Sequence, residues 1–491
     1  MSKTATPVDE KLASQIKEII NKKGQDEEFA AIRKNVEVVK ASKNEFPTLE
    51  KIVLPPGMTY GTGARVLQEM EASENKEVNV FRMLKGIPAD CLIAMWDAIK
   101  TRYGFSSLQD TQTFFGPVPP CMVSLPIGVE ENTSIPYGKI SPPSWEKGYI
   151  EPNLTDTGDG IAIVGKVKQK FVDTVNEILD EAQKALTTNS IYKGKAIDLD
   201  LSYLDPKKKA GYNPTTMSPV FCAPTHLTKE DLILNKDAEM MYTLNIFSRL
   251  ENRELIKRLG MTFKHGVLLS GPFGVGKTQS AAVIQRIAVE NGITFINLKT
   301  PLYFAQALEL ARNYGPTVLF VEDIDALFDG QERNHGVNDI LNTLDGVKSK
   351  DAFDVLVVLT TNNVKAISSA MMRAGRIDTL VCLDYPNPDT VGRFIKYFGR
   401  EYISEEVAND REVCEKLAGR APAFVNKIVM EALMSANLRN PDNPQISKED
   451  ILLLATQSIR HEDLARLVDS TPIERVEKAI DVIREELNIN I

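Results

Sequence analysis

Apolar and polar positions along the chain change their rhythm more than once. Near the start, Val8, Leu12, Ile16, Ile19 and Ile20 recur at helical spacing after Pro7, a residue suited to a first helical turn. Ile93, Met95, Trp96 and Ile99 predict a second helix, with Trp96 as a core residue. From Phe114 to Pro152 proline and glycine interrupt the pattern, as in Gly-Pro-Val-Pro-Pro at 116–120, which predicts short strands and loops. Gly-Asp-Gly-Ile-Ala-Ile-Val at 158–164 enters a strand, and Phe171, Val175, Ile178, Leu179 and Leu186 mark one side of the helix after it. Between Lys195 and Leu204, Asp198 and Asp200 alternate with Leu199 and Leu201, the period of another strand.

A helical connector is expected from Thr228 through Glu239 to Leu250, continuing into Leu255, Ile256 and Leu259. At His265 the pattern turns sharply. Gly266–Ser270 is a short apolar strand running into a glycine-rich loop, with Gln279–Val289 as the helix beyond. Further strands fall at Thr294–Leu298, Val318–Val321, Val355–Thr360 and Thr379–Leu383, separated by helical segments. Such alternation predicts a mostly parallel sheet covered on both faces. After Pro386 and Pro388 only helices are expected, near Val391–Tyr402, Asp410–Ala418, Pro422–Ala436, Ser447–Ile459 and Pro472–Leu487. In the last of these, Thr471 and Glu474 form a capping box around Pro472. Ile473, Val476, Ile480, Ile483 and Leu487 then line one face, to dock on the protein's own small domain or on a neighbouring subunit.

With 491 residues the chain is too long for a single core. Five segments follow: a mainly helical 1–75, a mixed α+β accessory domain at 76–225, an α/β domain at 226–385, a small helical domain at 386–470 and a terminal helix at 471–491. The net charge of -9 offers no global attraction to nucleic acid or anionic lipid. Lys207, Lys208 and Lys209 keep nucleic acid open as a partner without favouring it. Five scattered cysteines read as reduced thiols, which points to the cytoplasm. With neither a long apolar run nor a basic-then-apolar leader, no membrane span or secretory signal is expected. The histidines lack metal-ligand spacing, so no protein-bound zinc is expected.

The chemistry concentrates after His265. Gly271, Pro272, Phe273, Gly274, Val275, Gly276, Lys277 and Thr278 satisfy G-x-x-x-x-G-K-T between strand and helix. Glycine lets the backbone curl into a cradle of N–H groups for a polyphosphate; Lys277 adds positive charge and Thr278 a hydroxyl ligand for magnesium. With the adjoining Gln279 these form the candidate ATP-binding set. Forty residues on, Glu322, Asp323 and Asp325 follow an apolar strand, which would hold negative charge beside the phosphates for water or magnesium. Thr360, Thr361, Asn362 and Asn363 end another strand in groups able to hold an attacking water. Arg373 and Arg376 place two guanidinium groups, suited to phosphate charge, near one boundary.

Together these motifs resemble the AAA+ ATPase superfamily, and more closely its AAA clade of ring-forming ATPases, over roughly residues 240–470. The resemblance implies an α/β P-loop ATPase domain followed by a helical lid, with Walker A at 271–278 and Walker B at 320–325. Family members usually carry Asp-Glu in Walker B, whereas this chain has Glu322-Asp323. By position Glu322 would coordinate magnesium with Thr278, and Asp323 would polarise the attacking water, its shorter side chain slowing hydrolysis or requiring a closer backbone. Asn362 matches sensor 1. Arg373 and Arg376 match the paired arginine fingers that reach the ATP of an adjacent subunit, so a homo-oligomer, by family a hexamer, is implied. In the sensor 2 segment Gly419 and Ala421 would wall the base or ribose.

One departure concerns the aromatic-hydrophobic-Gly loop that ring translocases place before Walker B. Here Tyr303 and Phe304 pass straight into a helix and are expected to pack, so threading of a polymer is not implied. The expected function is ATP hydrolysis at an intersubunit site, driving remodelling of a protein client. The alternatives are a nucleotide-gated scaffold with slow hydrolysis and a DNA-associated motor or loader.

Overall fold

The computed structural model of the protein describes residues 59–104, 107–108, 111–113, 116–118, 121–145, 148–155, 160–205, 215, 217–327, 354–363 and 377–469. The stripes expected at 8–20 and 473–487, the Thr471 capping box and Lys207–Lys209 lie outside the described residues.

The described residues open with helix α1 (Tyr60–Glu74), strand β1 (Glu77–Lys85) and helix α2 (Pro88–Tyr103). Short strands follow, as the proline and glycine content requires: β2 (Ser107–Leu108), β3 (Thr111–Thr113), β4 (Gly116–Val118), β5 (Cys121–Pro126), β6 (Asn132–Tyr137), β7 (Ile140–Ser141) and β8 (Tyr149–Leu154). Then come β9 (Gly160–Lys168) and helix α3 (Val172–Thr188), both where the sequence pattern puts them. Five of these strands form an antiparallel sheet in the order β1-β9-β8-β7-β2. β1 escapes the sequence reading for a physical reason. Its outward face carries Phe81 and Met83, while Arg82 points back to Asn176 and Asp180 of α3, so the alternation is scrambled.

A second sheet positions the chemistry. Its strands are β10 (Ala196–Leu199), β11 (Val220–Phe221), β12 (His265–Ser270), β13 (Thr294–Leu298), β14 (Thr317–Val321), β15 (Val355–Thr361) and β16 (Thr379–Cys382). The order is β11-β10-β13-β14-β15-β12-β16, parallel throughout except for β11. Every residue of β14 and β15 is buried, which is why they read as unbroken apolar runs. Alternate side chains feed two cores. Val267, Leu269, Val318 and Phe320 meet Ile284 and Ile287 of helix α5 (Lys277–Glu290), beneath the connector residues Tyr242 and Phe247. Leu268, Leu319 and Val321 join a continuous cluster with Phe304 and Leu308 of helix α6 (Phe304–Asn313) and with Ile178 and Trp145 of the accessory region.

Two corrections follow. The strand expected at Lys195–Leu204 is the shorter β10, and it belongs to the parallel sheet with β13 as its neighbour. The sheet therefore continues across position 225, where the accessory domain was expected to end, and the two parts share one core. The connector also does not start as a helix at Thr228. Thr228 and Asp231 close a capping box around a single 3-10 turn, and the α-helical part begins at Lys236. Between them Leu232 and Leu234 enter the core of the parallel sheet while Ile233 enters the core of the small helical domain, an alternation that requires extended backbone.

The small domain contains α7 (Pro388–Gly399), α8 (Arg411–Leu417), α9 (Pro422–Arg439) and α10 (Lys448–Asp469). Asn387 and Asp410 cap α7 and α8 by accepting from first-turn N–H groups. Ile395, Leu417, Val425, Ile428 and Ile451 form its core. No described helix is long and apolar enough to cross a membrane.

Candidate nucleotide site

The loop between β12 and α5 is shaped by glycine. A Cβ on Gly271 would stand 2.1 Å from the Leu383 carbonyl oxygen, and Gly276 has φ of 101°, a left-handed conformation that favours glycine. The backbone then enters α5 directly, so its first N–H groups open toward the loop. Ser280 fixes this entry by donating to the Gly276 carbonyl at 2.9 Å, and its hydroxyl meets that of Tyr242 at 2.8 Å. Buried Lys277 donates through Nζ to the carbonyls of Gly271 (2.6 Å) and Pro272 (2.8 Å). Burial pushes its ammonium below its ordinary pKa, opposed by the carboxylates of Asp323 and Asp325. Phe273, Gly274 and Thr278 are exposed along the rim, and Val275 is buried beneath it. Gln279, grouped with the loop from sequence, donates instead to the Asp231 carbonyl at 2.9 Å.

β14 delivers the acidic group. Glu322 is half-buried, and burial raises its carboxyl pKa while Lys299 pulls it down. Asp323 is exposed, with φ of 49°, an uncommon conformation for a residue other than glycine. That backbone is held from the neighbouring strand, where the Thr360 hydroxyl accepts from the Asp323 N–H at 2.9 Å. Asn362, just beyond β15, donates through Nδ2 to Asp323 Oδ1 at 2.9 Å and through its backbone N–H to Asp325 Oδ1 at 3.2 Å. Its own Oδ1 is buried without a hydrogen-bond partner. An acceptor left open beside a carboxylate suits a water that donates to both.

The small domain reaches the same place. A Cβ on Gly274 would lie 3.5 Å from that of Ala421, so the cap of α9 stands over the loop. Gly419 has φ of 72° and donates to the Pro386 carbonyl at 3.0 Å, turning the chain toward α9. The extended strap before α4 (Lys236–Tyr242) ties this domain down, since Asp231 accepts from the Tyr397 hydroxyl at 2.6 Å and Asn235 donates to the Tyr385 carbonyl at 3.1 Å. Thus Lys277, Asp323, Asn362 and Ala421 come together around the loop. Arg373 and Arg376 lie outside the described residues. Phe304 is fully buried, and half-buried Tyr303 packs against the same core, as expected for packing residues.

Sequence reasoning gave no role to Thr360 in aligning Asp323, nor to Asp198 beside Lys299. The Thr360 contact needed the pairing of β14 with β15; Asp198 stands about a hundred positions away from its partner and carries no motif.

A strand-loop-helix leaving a parallel sheet, with acid residues ending the strand two places away and Asn362 ending the strand between them, defines a P-loop nucleoside-triphosphate module. Residues 267–385 match the family described as ATPase family associated with various cellular activities (AAA). The chain is 28% identical over 247 residues to ATPase family gene 2 protein of Saccharomyces cerevisiae, a match spanning 47% of this chain and 31% of that relative. It is 30% identical over 227 residues to proteasome-activating nucleotidase of Methanoregula boonei, spanning 41% of this chain and 50% of the relative. To 26S proteasome regulatory subunit 6A of Saccharomyces cerevisiae it is 26% identical over 336 residues, with shares of 63% and 71%. The chain therefore carries an AAA+ ATPase module of the AAA clade, and the matches span 31%, 50% and 71% of these relatives' own length.

Proposed function

We propose that this protein is a homo-oligomeric ATPase that remodels a protein client or assembly, with each active site completed by a neighbouring copy. The observation that carries the catalytic part is Asp323: a strained, exposed carboxylate bonded to Asn362 and within electrostatic reach of Lys277. Lys277 leaves the Gly271 and Pro272 carbonyls and turns its ammonium to the outer phosphates, while the N–H groups of 271–278 wrap the rest. Thr278 and Glu322 would hold magnesium, which neutralises phosphate charge. Asn362 Oδ1 accepts from the attacking water, and Asp323 Oδ1 or Oδ2 takes its proton. Ala421 and Gly419 close over the nucleotide, and the strap from Thr228 to Asn235 carries that closure to the sheet. Arg373 and Arg376 supply charge to the transition state of the adjacent copy.

Support for oligomeric remodelling comes from likeness to AAA-clade relatives, one named as a proteasome-activating nucleotidase and one as a proteasome subunit. Burial of Phe304 argues against carrying over polymer threading, and favours a second reading, a nucleotide-gated scaffold that hydrolyses slowly as a timer. The Glu322-Asp323 order favours that reading too. A DNA-associated motor is disfavoured by the net charge of -9.

ATP turnover and solution mass, measured together across a protein concentration series for wild type and Arg376→Ala, test the shared site. Specific activity should rise as oligomers form, and the variant should assemble yet lose about a thousandfold in turnover. Concentration-independent turnover by a confirmed monomer would sink the shared-site reading. ATP-dependent assembly whose turnover no protein client stimulates would select the scaffold.

A further inference from the structure

The strand that widens the parallel sheet beyond the matched module brings a charge to the site. β10 pairs with β13 so that Asp198 stands opposite Asn297 and Leu199 opposite Leu298, and β13 pairs with β14 so that Leu298 stands opposite Val321. The next residues in that register are Lys299 and Glu322. An ammonium and a carboxylate therefore leave neighbouring strands on the same side of the sheet, with the strands about 4.8 Å apart. Left to themselves the two would close into an ion pair. A Glu322 carboxylate engaged by Lys299 would have to give up that pair before binding a cation.

The structure has Lys299 engaged elsewhere. Its Nζ lies 3.1 Å from Asp198 Oδ1, and Asn297 Nδ2 donates to the same oxygen at 2.8 Å. Asp198, Asn297 and Lys299 share one face by strand alternation, and Glu322 joins them by register. Among the described residues no ion pair joins Lys299 to Glu322. Asp198 also precedes the 267–385 match, so the residue occupying Lys299 comes from outside the ATPase motifs.

We propose that Asp198 is a positioning residue for the ATPase reaction, holding Lys299 away from Glu322 so that the carboxylate stays open to magnesium. The proposal rests on reading Glu322 as a magnesium ligand, and its test separates the two. Asp198→Asn removes the charge but keeps an acceptor for Asn297. The measurement is binding of a fluorescent ATP analogue to the full chain, first in EDTA and then as free magnesium is raised. For Asp198→Asn the half-saturating magnesium concentration should rise about fivefold, with affinity in EDTA unchanged. Adding Lys299→Met to Asp198→Asn should restore the wild-type magnesium response, which a merely misfolded variant could not do. If Glu322→Gln shifts the magnesium response but Asp198→Asn does not, the positioning role is wrong while the reading of Glu322 stands. A shift in Asp198→Asn that Lys299→Met fails to reverse also overturns it. If Glu322→Gln leaves the magnesium response unchanged, the reading of Glu322 falls and the positioning role with it.

Discussion

Strand β14 has a polar cluster at each end, and the two are satisfied in opposite ways. Just before its start, buried Asp90 accepts from the Ser190 hydroxyl at 2.6 Å and from the Ile191 N–H at 3.3 Å, and it also accepts from the Tyr314 hydroxyl. That Tyr314 hydroxyl accepts in turn from the Ile87 N–H at 2.8 Å, so accessory helix α2 is bonded to the turn that launches β14. In this cluster the Tyr192 hydroxyl alone has no partner. At the other end, Asp323 is exposed on a left-handed backbone and Asn362 Oδ1 is buried with nothing to accept from. A buried network that pairs all but one of its polar groups fixes how two parts of a fold meet, whereas backbone strain combined with an open acceptor at a strand end suits a ligand. The contrast gives the near end of β14 a structural part and supports the proposal that the far end carries the chemistry.

The largest break in that contrast should come from Asp323→Asn, which keeps the bond to Asn362 but cannot take a proton. Phosphate release should fall by about 10²–10⁴-fold with nucleotide affinity retained, and unchanged turnover would remove Asp323 from the chemistry. At the near end, Tyr314→Ala empties a fully buried site and should cost about 3–5 kcal/mol in urea unfolding. A loss of turnover without loss of stability would mean that the near end acts chemically after all. The smallest effect is a pH dependence. Burial raises the Asp90 carboxyl from 3.8 to about 6, so its cost is absent below pH 4, grows as pH rises through that window and is complete above 6. Over the same interval Asp90→Asn should gain on wild type by up to about 3 kcal/mol, read from denaturation midpoints at several pH values. A difference that stays flat from pH 4 to 7 would show that the carboxyl titrates normally.

The two ends also differ in how legible they were. The far end was plain from sequence, because a buried parallel strand must be apolar throughout and its chemistry must begin where it leaves the core. Phe320, Val321, Glu322 and Asp323 obey that rule within four residues. The near end gave no such signal. Asp90, Ser190 and Tyr314 lie a hundred positions or more apart from one another, each ordinary in its own context, and only the packing of α2 and α3 on the sheet brings them together. β1 was hidden for a related reason, since Arg82 satisfies its charge on α3 while Phe81 faces outward.

Sequence by itself located the glycine-rich loop, the acid-ended strand, Asn362 at the end of another strand and the helices of the described residues after Pro386, because each depends on residues close together in the chain. Tertiary structure decided what depends on register and packing between distant segments. It made β10 part of the ATPase sheet, set Asp198 beside Lys299, turned Thr360 toward the Asp323 backbone, laid Ala421 over Gly274 and divided Leu232, Ile233 and Leu234 between two cores. A pairing between strands a hundred residues apart has no local pattern that requires it; it is chosen by the burial of both partners at once.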